Sequence, residues 1–283
     1  MLPGESRGPA ARKGGLGPGL RRETPALPRE PSGHMAVTYC VGLLLEAGLV
    51  MIADTRTTAG GDNFSSYRKL HVLADRPDRQ IFLCTSGSLS MSQSAIGQLT
   101  DALPAPVGDE KALTVATAPS MFRVAELVGD AVQSVNRSVG SVLAEANISS
   151  SVSLLLGGRI GSEPPSLYLV YSAGNFIHCS PESPFLQIGE TKYGKPILDR
   201  GVRHGTPLDE AVKVALLSFD SAMRSNLGVA RPLDLMVMPA DSSKPVLTRR
   251  IEADDPYFNA LSLRWAVLLH EATRQIPNPP WVG

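Results

Sequence analysis

Cysteine is scarce in this chain: Cys40, Cys84 and Cys179 are the three it has among 283 residues. They are widely spaced and form no C-x-x-C pair, so there is no disulfide framework and no cysteine metal cluster; reduced thiols in a cytoplasm fit better. Cys40 lies inside an apolar run with no histidine near it in sequence, which reads as a core thiol rather than a nucleophile. Ligand spacing is lacking among the histidines too. His270-Glu271 has no second histidine, and His34, His71, His178 and His204 stand alone, so neither a metal nor a cofactor is expected. Net charge is absent, with 27 Lys plus Arg against 27 Asp plus Glu. No field of one sign steers the molecule toward nucleic acid or an anionic membrane. Long apolar runs are missing as well: Val41–Leu45 and Val214–Leu217 fall far below the ~20 residues of a spanning helix. No ATPase motif occurs, because Gly15-Leu16-Gly17-Pro18-Gly19 has neither a preceding strand nor a lysine-serine pair after it.

What is present is an apolar fraction of 43%, enough to bury a core. Residues 1–34 are rich in proline, glycine and arginine and poor in aromatic and β-branched residues. That composition predicts disorder, and it lacks the continuous apolar segment of a secretory signal. Residues 1–37 are therefore read as an extension or removable leader, with the start at Met1 or Met35 left open. The remainder, 38–283, reads as one domain.

Patterning begins abruptly at Thr38. Two apolar runs, Tyr39–Leu45 and Gly48–Ala53, separated by Glu46 and Ala47, predict a hairpin of buried strands. Lys69–Leu73 and Gln80–Thr85 add two strands, giving an opening block of four. Helices are expected over Ser90–Leu103 and Met121–Ala146. The order then repeats: strands over Ser151–Gly158, Ser166–Tyr171 and Asn175–His178, followed by helices over Thr191–Gly201 and Leu208–Ser225. Strands Leu233–Met238 and Val246–Ile251 and a last helix over Pro256–Ile276 close the chain. On that helix Leu261, Leu263, Ala266, Val267, Leu268 and Ala272 form a broad apolar face with Trp265, fit for core packing or for a subunit contact. Strands in hairpin blocks alternating with helix pairs predict an α+β fold, a four-layer α-β-β-α sandwich of two antiparallel sheets flanked by helices.

Thr38 opens the first strand, Asp54 ends the second and Lys69 opens the third. Alone, each has an ordinary reading as a strand former, a turn residue and an edge charge. Together, Thr38-Tyr39-Cys40-Val41-Gly42, Asp54-Thr55-Arg56 and Lys69 resemble the pattern of proteasome β-subunits. The wording of Ala53-Asp54-Thr55-Arg56-Thr57, Arg68-Lys69-Leu70-His71-Val72 and the Gly189–Arg200 segment, Gly189-Glu190-Thr191-Lys192-Tyr193-Gly194 onward, resembles the bacterial proteasome-type proteases called Anbu. The resemblance covers nearly everything after Val37.

The resemblance implies a proteasome β-subunit-like N-terminal-nucleophile hydrolase. A threonine hydroxyl attacks only when a base takes its proton, and the free α-amine of the same residue, with a pKa of ~8, can serve. Thr38 would be that residue, released by a cut at Val37-Thr38. Lys69 would help keep the amine neutral, Asp54 would hold Lys69 charged and oriented, and the Gly87 N–H in Thr85-Ser86-Gly87-Ser88 would steady the oxyanion. Supporting roles fall to Asp220, Ser221, Glu190 and Ser225. Glu190-Thr191 departs from the glycine-serine-glycine of classical subunits. Arg56, Thr57, Thr58, Ser88 and Leu89 would line the substrate pocket. Implied partners are further copies in a homo-oligomeric ring or helical ring stack, a peptide or unfolded chain as substrate, and an ATPase encoded elsewhere. Two other readings stay open. One is an inactive structural subunit, favoured by Met35-Ala36-Val37 ahead of Thr38; the other is an N-terminal-nucleophile hydrolase acting on a small amide.

Overall fold

The computed structural model of the chain describes residues 38–58, 64–100 and 113–282. Residues 1–37 and the end of the first expected helix, 101–103, lie outside them. In chain order the elements are β1 (Tyr39–Leu45), β2 (Gly48–Asp54), β3 (Arg56–Thr58), β4 (Phe64–Ser66), β5 (Leu70–Arg76), β6 (Arg79–Gly87), α1 (Leu89–Thr100), α2 (Met121–Glu145), β7 (Val152–Ile160), β8 (Ser166–Val170), β9 (Phe176–His178), β10 (Phe185–Gly189), α3 (Lys195–Gly201), α4 (Leu208–Ser225), β11 (Leu233–Pro239), β12 (Leu247–Ile251) and α5 (Pro256–Gln275).

Two antiparallel five-stranded sheets carry the fold, one ordered β10-β1-β2-β11-β12 and the other β5-β6-β7-β8-β9, with β3-β4 as a separate hairpin. The first four expected strands therefore do not form one block: β1-β2 belong to one sheet and β5-β6 to the other. Side-chain alternation sorts the buried residues into three clusters. Tyr39, Val41 and Leu43 of β1 and Val50 and Ile52 of β2 pack with Leu198, Ala215, Phe219 and their neighbours on α3 and α4. Cys40, Leu49, Met51 and Ala53 point the other way and meet Phe82, Cys84 and Leu155 of the second sheet. On its far face that sheet presents Ile81, Leu83, Leu154 and Leu156 to Val124, Val128, Val132 and Val135 of α2. A strand buried on both faces has no reason to alternate with polar residues. This is why β1 and β2 read as continuous apolar runs.

Three departures from the expected elements have local causes. The hairpin β3-β4 carries little apolar pattern of its own, and β10 is only five residues long; it is held by its pairing with β1, Tyr39 opposite Gly189 and Leu43 opposite Phe185. Helix α3 starts at Lys195 rather than Thr191, because the Glu190 carboxylate accepts the Lys192 and Tyr193 N–H groups, at 2.6 and 3.3 Å, and holds that stretch as a loop. On α5 only Phe258 is buried, capped from Asp255, whose side chain accepts the Phe258 N–H at 2.9 Å. Leu263, expected on an apolar face, is 70% exposed, and Val267, Leu268 and Leu269 are exposed as well.

Candidate active site

The sheets bring one end of five strands together. Thr38 precedes β1, Asp54 ends β2, Lys69 precedes β5, Gly87 ends β6 and Gly189 ends β10. Register makes this compulsory: Cys40 sits opposite Ala53, so the next step along the hairpin sets Tyr39 against Asp54. The Tyr39 N–H donates to Asp54 Oδ1 at 2.9 Å, and the Arg56 N–H donates to Oδ2 at 3.1 Å.

Lys69 comes from the other sheet. Its carbonyl accepts the Thr85 N–H at 3.0 Å, and its ammonium reaches across to Asp54 Oδ1 at 2.9 Å and to the Arg56 carbonyl at 2.5 Å. Thr38, Asp54 and Lys69 are 2%, 0% and 4% exposed, so the ion pair is dry. Burial is the larger influence on Asp54 and pushes its carboxyl up to about 6, against the pull of Lys69 and of the Tyr39 and Arg56 N–H groups. At about 1.4 kcal/mol per unit, the desolvation left uncompensated is roughly 3 kcal/mol. Such a pair is retained against a cost.

The Thr38 carbonyl accepts the Glu190 N–H at 2.6 Å. Gly189 must stand before Glu190, because its φ of +81° is in the left-handed region and a Cβ there would run into that same carbonyl oxygen. Gly189→Ala is expected to break the Glu190 N–H bond to the Thr38 carbonyl, seen as faster exchange of that amide. The protein should stay folded by circular dichroism, since the change lies at a strand end.

The Gly87 N–H follows from alternation along β6. Thr85 donates toward Lys69 and Ser88 donates to Ser151 O at 2.9 Å on the opposite side. The Gly87 N–H therefore turns to the side of Lys69, beyond the start of β5. Its φ of +97° and a Cβ that would strike Ser151 O make glycine the residue for this position.

The expected supporting residues are spread more widely. Asp220 is turned to α5, with Oδ1 accepting from Ser262 Oγ at 2.6 Å and Oδ2 paired with Arg224 at 3.0 Å. Ser221 Oγ donates to the Tyr193 carbonyl at 3.0 Å, and Ser225 is the exposed last residue of α4. Glu190 meets Asn226 rather than Ser225: Asn226 Nδ2 donates to Glu190 Oε2 at 2.9 Å. Of the pocket residues, Arg56 sends Nη1 to the Leu227 carbonyl at 2.8 Å and Thr57 is buried beside it on β3. Thr58 ends β3, Ser88 Oγ lies 3.2 Å from Ser90 Oγ, and Leu89 opens α1.

Sequence reading missed Asn226, Gly189 and Tyr39. The Tyr39 hydroxyl accepts from Gln187 Nε2 at 2.7 Å and donates to Ser218 Oγ at 3.2 Å, which pins the residue after Thr38 to β10 and α4. A cleft of about 510 Å³ along the outer side of β10, lined by Phe185, Gln187, Thr191, Lys195 and Arg203 among others, does not include Thr38, Asp54 or Lys69. The convergence of backbone and ion pair, not cleft volume, marks the candidate site. Cys40 is fully buried with its thiol pushed well up by burial, which suits a core residue. Among the described residues, no group of His, Cys, Asp and Glu side chains could hold a metal ion, and no helix is long and apolar enough to cross a membrane.

No protein-family model and no curated protein sequence matches the chain. Solved structures do. A Gly-1 mutant of Anbu from Hyphomicrobium sp. strain MC1 is 40% identical, with 86% of this chain and 99% of that one covered at a TM-score of 0.78. Anbu from Yersinia bercovieri, described as an ancestral beta-subunit, is 36% identical over 87% of this chain and 100% of its own, at 0.78. A chain from the helical assembly of the Anbu complex of Pseudomonas aeruginosa is 40% identical over 86% and 99%, at 0.79. With identities of 36% to 40% over essentially the whole length of these relatives, the chain belongs to the Anbu family of bacterial proteasome-like β subunits.

Proposed function

We propose that the chain is a threonine-type peptidase subunit, with the freed Thr38 as nucleophile. The observation that carries this reading is the Lys69–Asp54 pair, buried and tied through the Tyr39 N–H to the start of the strand that Thr38 opens. Once Val37-Thr38 is cut, the α-amine takes the proton of the Thr38 hydroxyl as Oγ attacks the substrate carbonyl. The oxyanion that forms is held by the Gly87 N–H. As the intermediate collapses, the amine returns the proton to the departing nitrogen, leaving an ester on Thr38 that water hydrolyses. The Lys69 charge disfavours a second positive charge on the amine and so keeps it basic. Arg56, Thr57, Thr58, Ser88 and Leu89 flank the acyl side. We read the layers as α-β-β-α and residues 38–283 as one domain.

Further copies of the chain are the partner we assign to α5, where Leu263, Val267, Leu268 and Leu269 are exposed; a similar chain is described in a helical assembly. Apolar area of this kind on a helix suits association. A cytoplasmic location, a peptide or unfolded substrate and a separate ATPase complete the reading.

The test is the intact mass and N-terminal sequence of the purified protein, followed by peptide hydrolysis. A terminus at Thr38 with turnover supports the reading. A terminus at Met1, Met35 or Ala36 without turnover favours a structural subunit, and turnover confined to small amides favours an amidohydrolase.

Acid should separate activity from stability. The site needs Asp54 as a carboxylate, so kcat/KM is expected to fall as pH drops below about 6. The folded value lies above the unfolded 3.8, so the folded state binds the proton more tightly. The contribution of Asp54 to stability is therefore full below pH ~4 and is lost as pH rises through about 6. Rate profiles paired with melting temperatures at each pH check this, because acid unfolding would move both downward together.

A further inference from the structure

We propose that Asn226 is a positioning residue that holds the Thr38 backbone through Glu190, in an inference that rests on the peptidase reading above. Glu190 carries out two tasks with different atoms. Its N–H donates to the Thr38 carbonyl at 2.6 Å, while its carboxylate is occupied elsewhere: Oε1 by the Lys192 and Tyr193 N–H groups, Oε2 by Asn226 Nδ2 at 2.9 Å. The carboxylate is thus a fastener for its own loop, and what it presents to Thr38 is main chain.

Asn226 follows the last residue of α4, and its Oδ1 accepts the Gly228 N–H at 3.0 Å, which fixes the amide so that Nδ2 faces Glu190. Between these two, the Leu227 carbonyl accepts from Arg56 Nη1 at 2.8 Å. The main chain of Arg56 in turn donates to Asp54 and accepts from Lys69. Three consecutive residues after α4 therefore hold both sides of the site, the Thr38 carbonyl through Glu190 and the Asp54–Lys69 pair through Arg56. Nothing else among the described residues takes Glu190 Oε2, so Asn226 alone sets the free end of that side chain.

The arrangement predicts an exchange of roles. Asn226→Asp keeps the shape and the acceptor for Gly228 but sets a carboxylate against a carboxylate, which repel. Adding Glu190→Gln restores the hydrogen bond with donor and acceptor reversed, since the Gln Oε1 still accepts from Lys192 and Tyr193 while its Nε2 donates to the new aspartate. In protein with a Thr38 terminus, N226D is expected to lower kcat on the order of 10- to 100-fold with KM changed little. Amide exchange across residues 189–193 should quicken at least about fivefold. The N226D/E190Q double variant is expected to recover most of both. An unchanged kcat and exchange rate in N226D, or a double variant as slow as N226D, overturns the proposal. Amide exchange needs no turnover: if the parent protein with a free Thr38 hydrolyses nothing, the peptidase reading falls, and the exchange rates still decide whether Asn226 holds Glu190.

Discussion

Replacing Thr38 by alanine is expected to abolish peptide hydrolysis, a loss of about 10⁴-fold or more, as when any attacking hydroxyl is removed, while the protein stays folded. The side chain lost is small and sits at the mouth of β1, not in any of the three apolar clusters, so the change in stability should be within about 1 kcal/mol. The Tyr39 N–H bond to the Asp54 carboxylate and the Glu190 N–H bond to the Thr38 carbonyl use only main-chain groups at this end of β1 and survive the substitution. Thr38→Ser, which keeps a hydroxyl on the same backbone, should retain measurable turnover. The measurement is the rate of peptide hydrolysis beside the melting temperature, on preparations whose N-terminus has been sequenced. Alanine protein that turns over at the parental rate would remove Thr38 from the mechanism.

Lys69→Ala should cost both activity and stability, because it takes the partner from a fully buried carboxylate. Breaking a buried pair on one side costs about 3–5 kcal/mol. Here the upper end is not expected: burial already holds the Asp54 carboxyl up at about 6. Without the ammonium it rises further and takes a proton at neutral pH, which caps the penalty. Lys69→Met preserves the apolar stem and so isolates the charge. The double variant Asp54→Asn with Lys69→Met buries no charge, and it should recover most of the lost stability while remaining inactive. Chemical denaturation of the four proteins, with hydrolysis measured on the same samples, checks both halves. Stability and activity recovering together would mean that the pair shapes the strand ends and does not tune the amine.

Much of this molecule is legible in order. The buried hairpin at Tyr39–Ala53, the α2 stripe and the two rounds of strands and helices could be read because apolar periodicity is written locally, within ten or twenty residues. Thr38, Asp54 and Lys69 stand at strand ends that this periodicity locates, and the family resemblance gave them roles to test. Gly87 could be named because Thr85-Ser86-Gly87-Ser88, at a strand end, resembles the loop that supplies the oxyanion donor in the family.

What periodicity could not supply is which strand lies beside which. The split of β1-β2 from β5-β6, the edge strand β10 and the hairpin β3-β4 are fixed by pairings between distant segments, and Phe185–Gly189 is too short and mixed to announce itself. The same reason hid Asn226, whose partner Glu190 is 36 residues away, and turned Asp220 toward Ser262, 42 residues on. Hydrogen-bond partners of loop residues follow from where the elements are packed, and no local pattern encodes them. The sequence thus determined most of the elements, the buried faces of the central strands and of α2, and the residue types at the strand ends. Only the tertiary structure decided that those ends meet, since a carboxylate and an ammonium from two different sheets become a pair when the sheets stack.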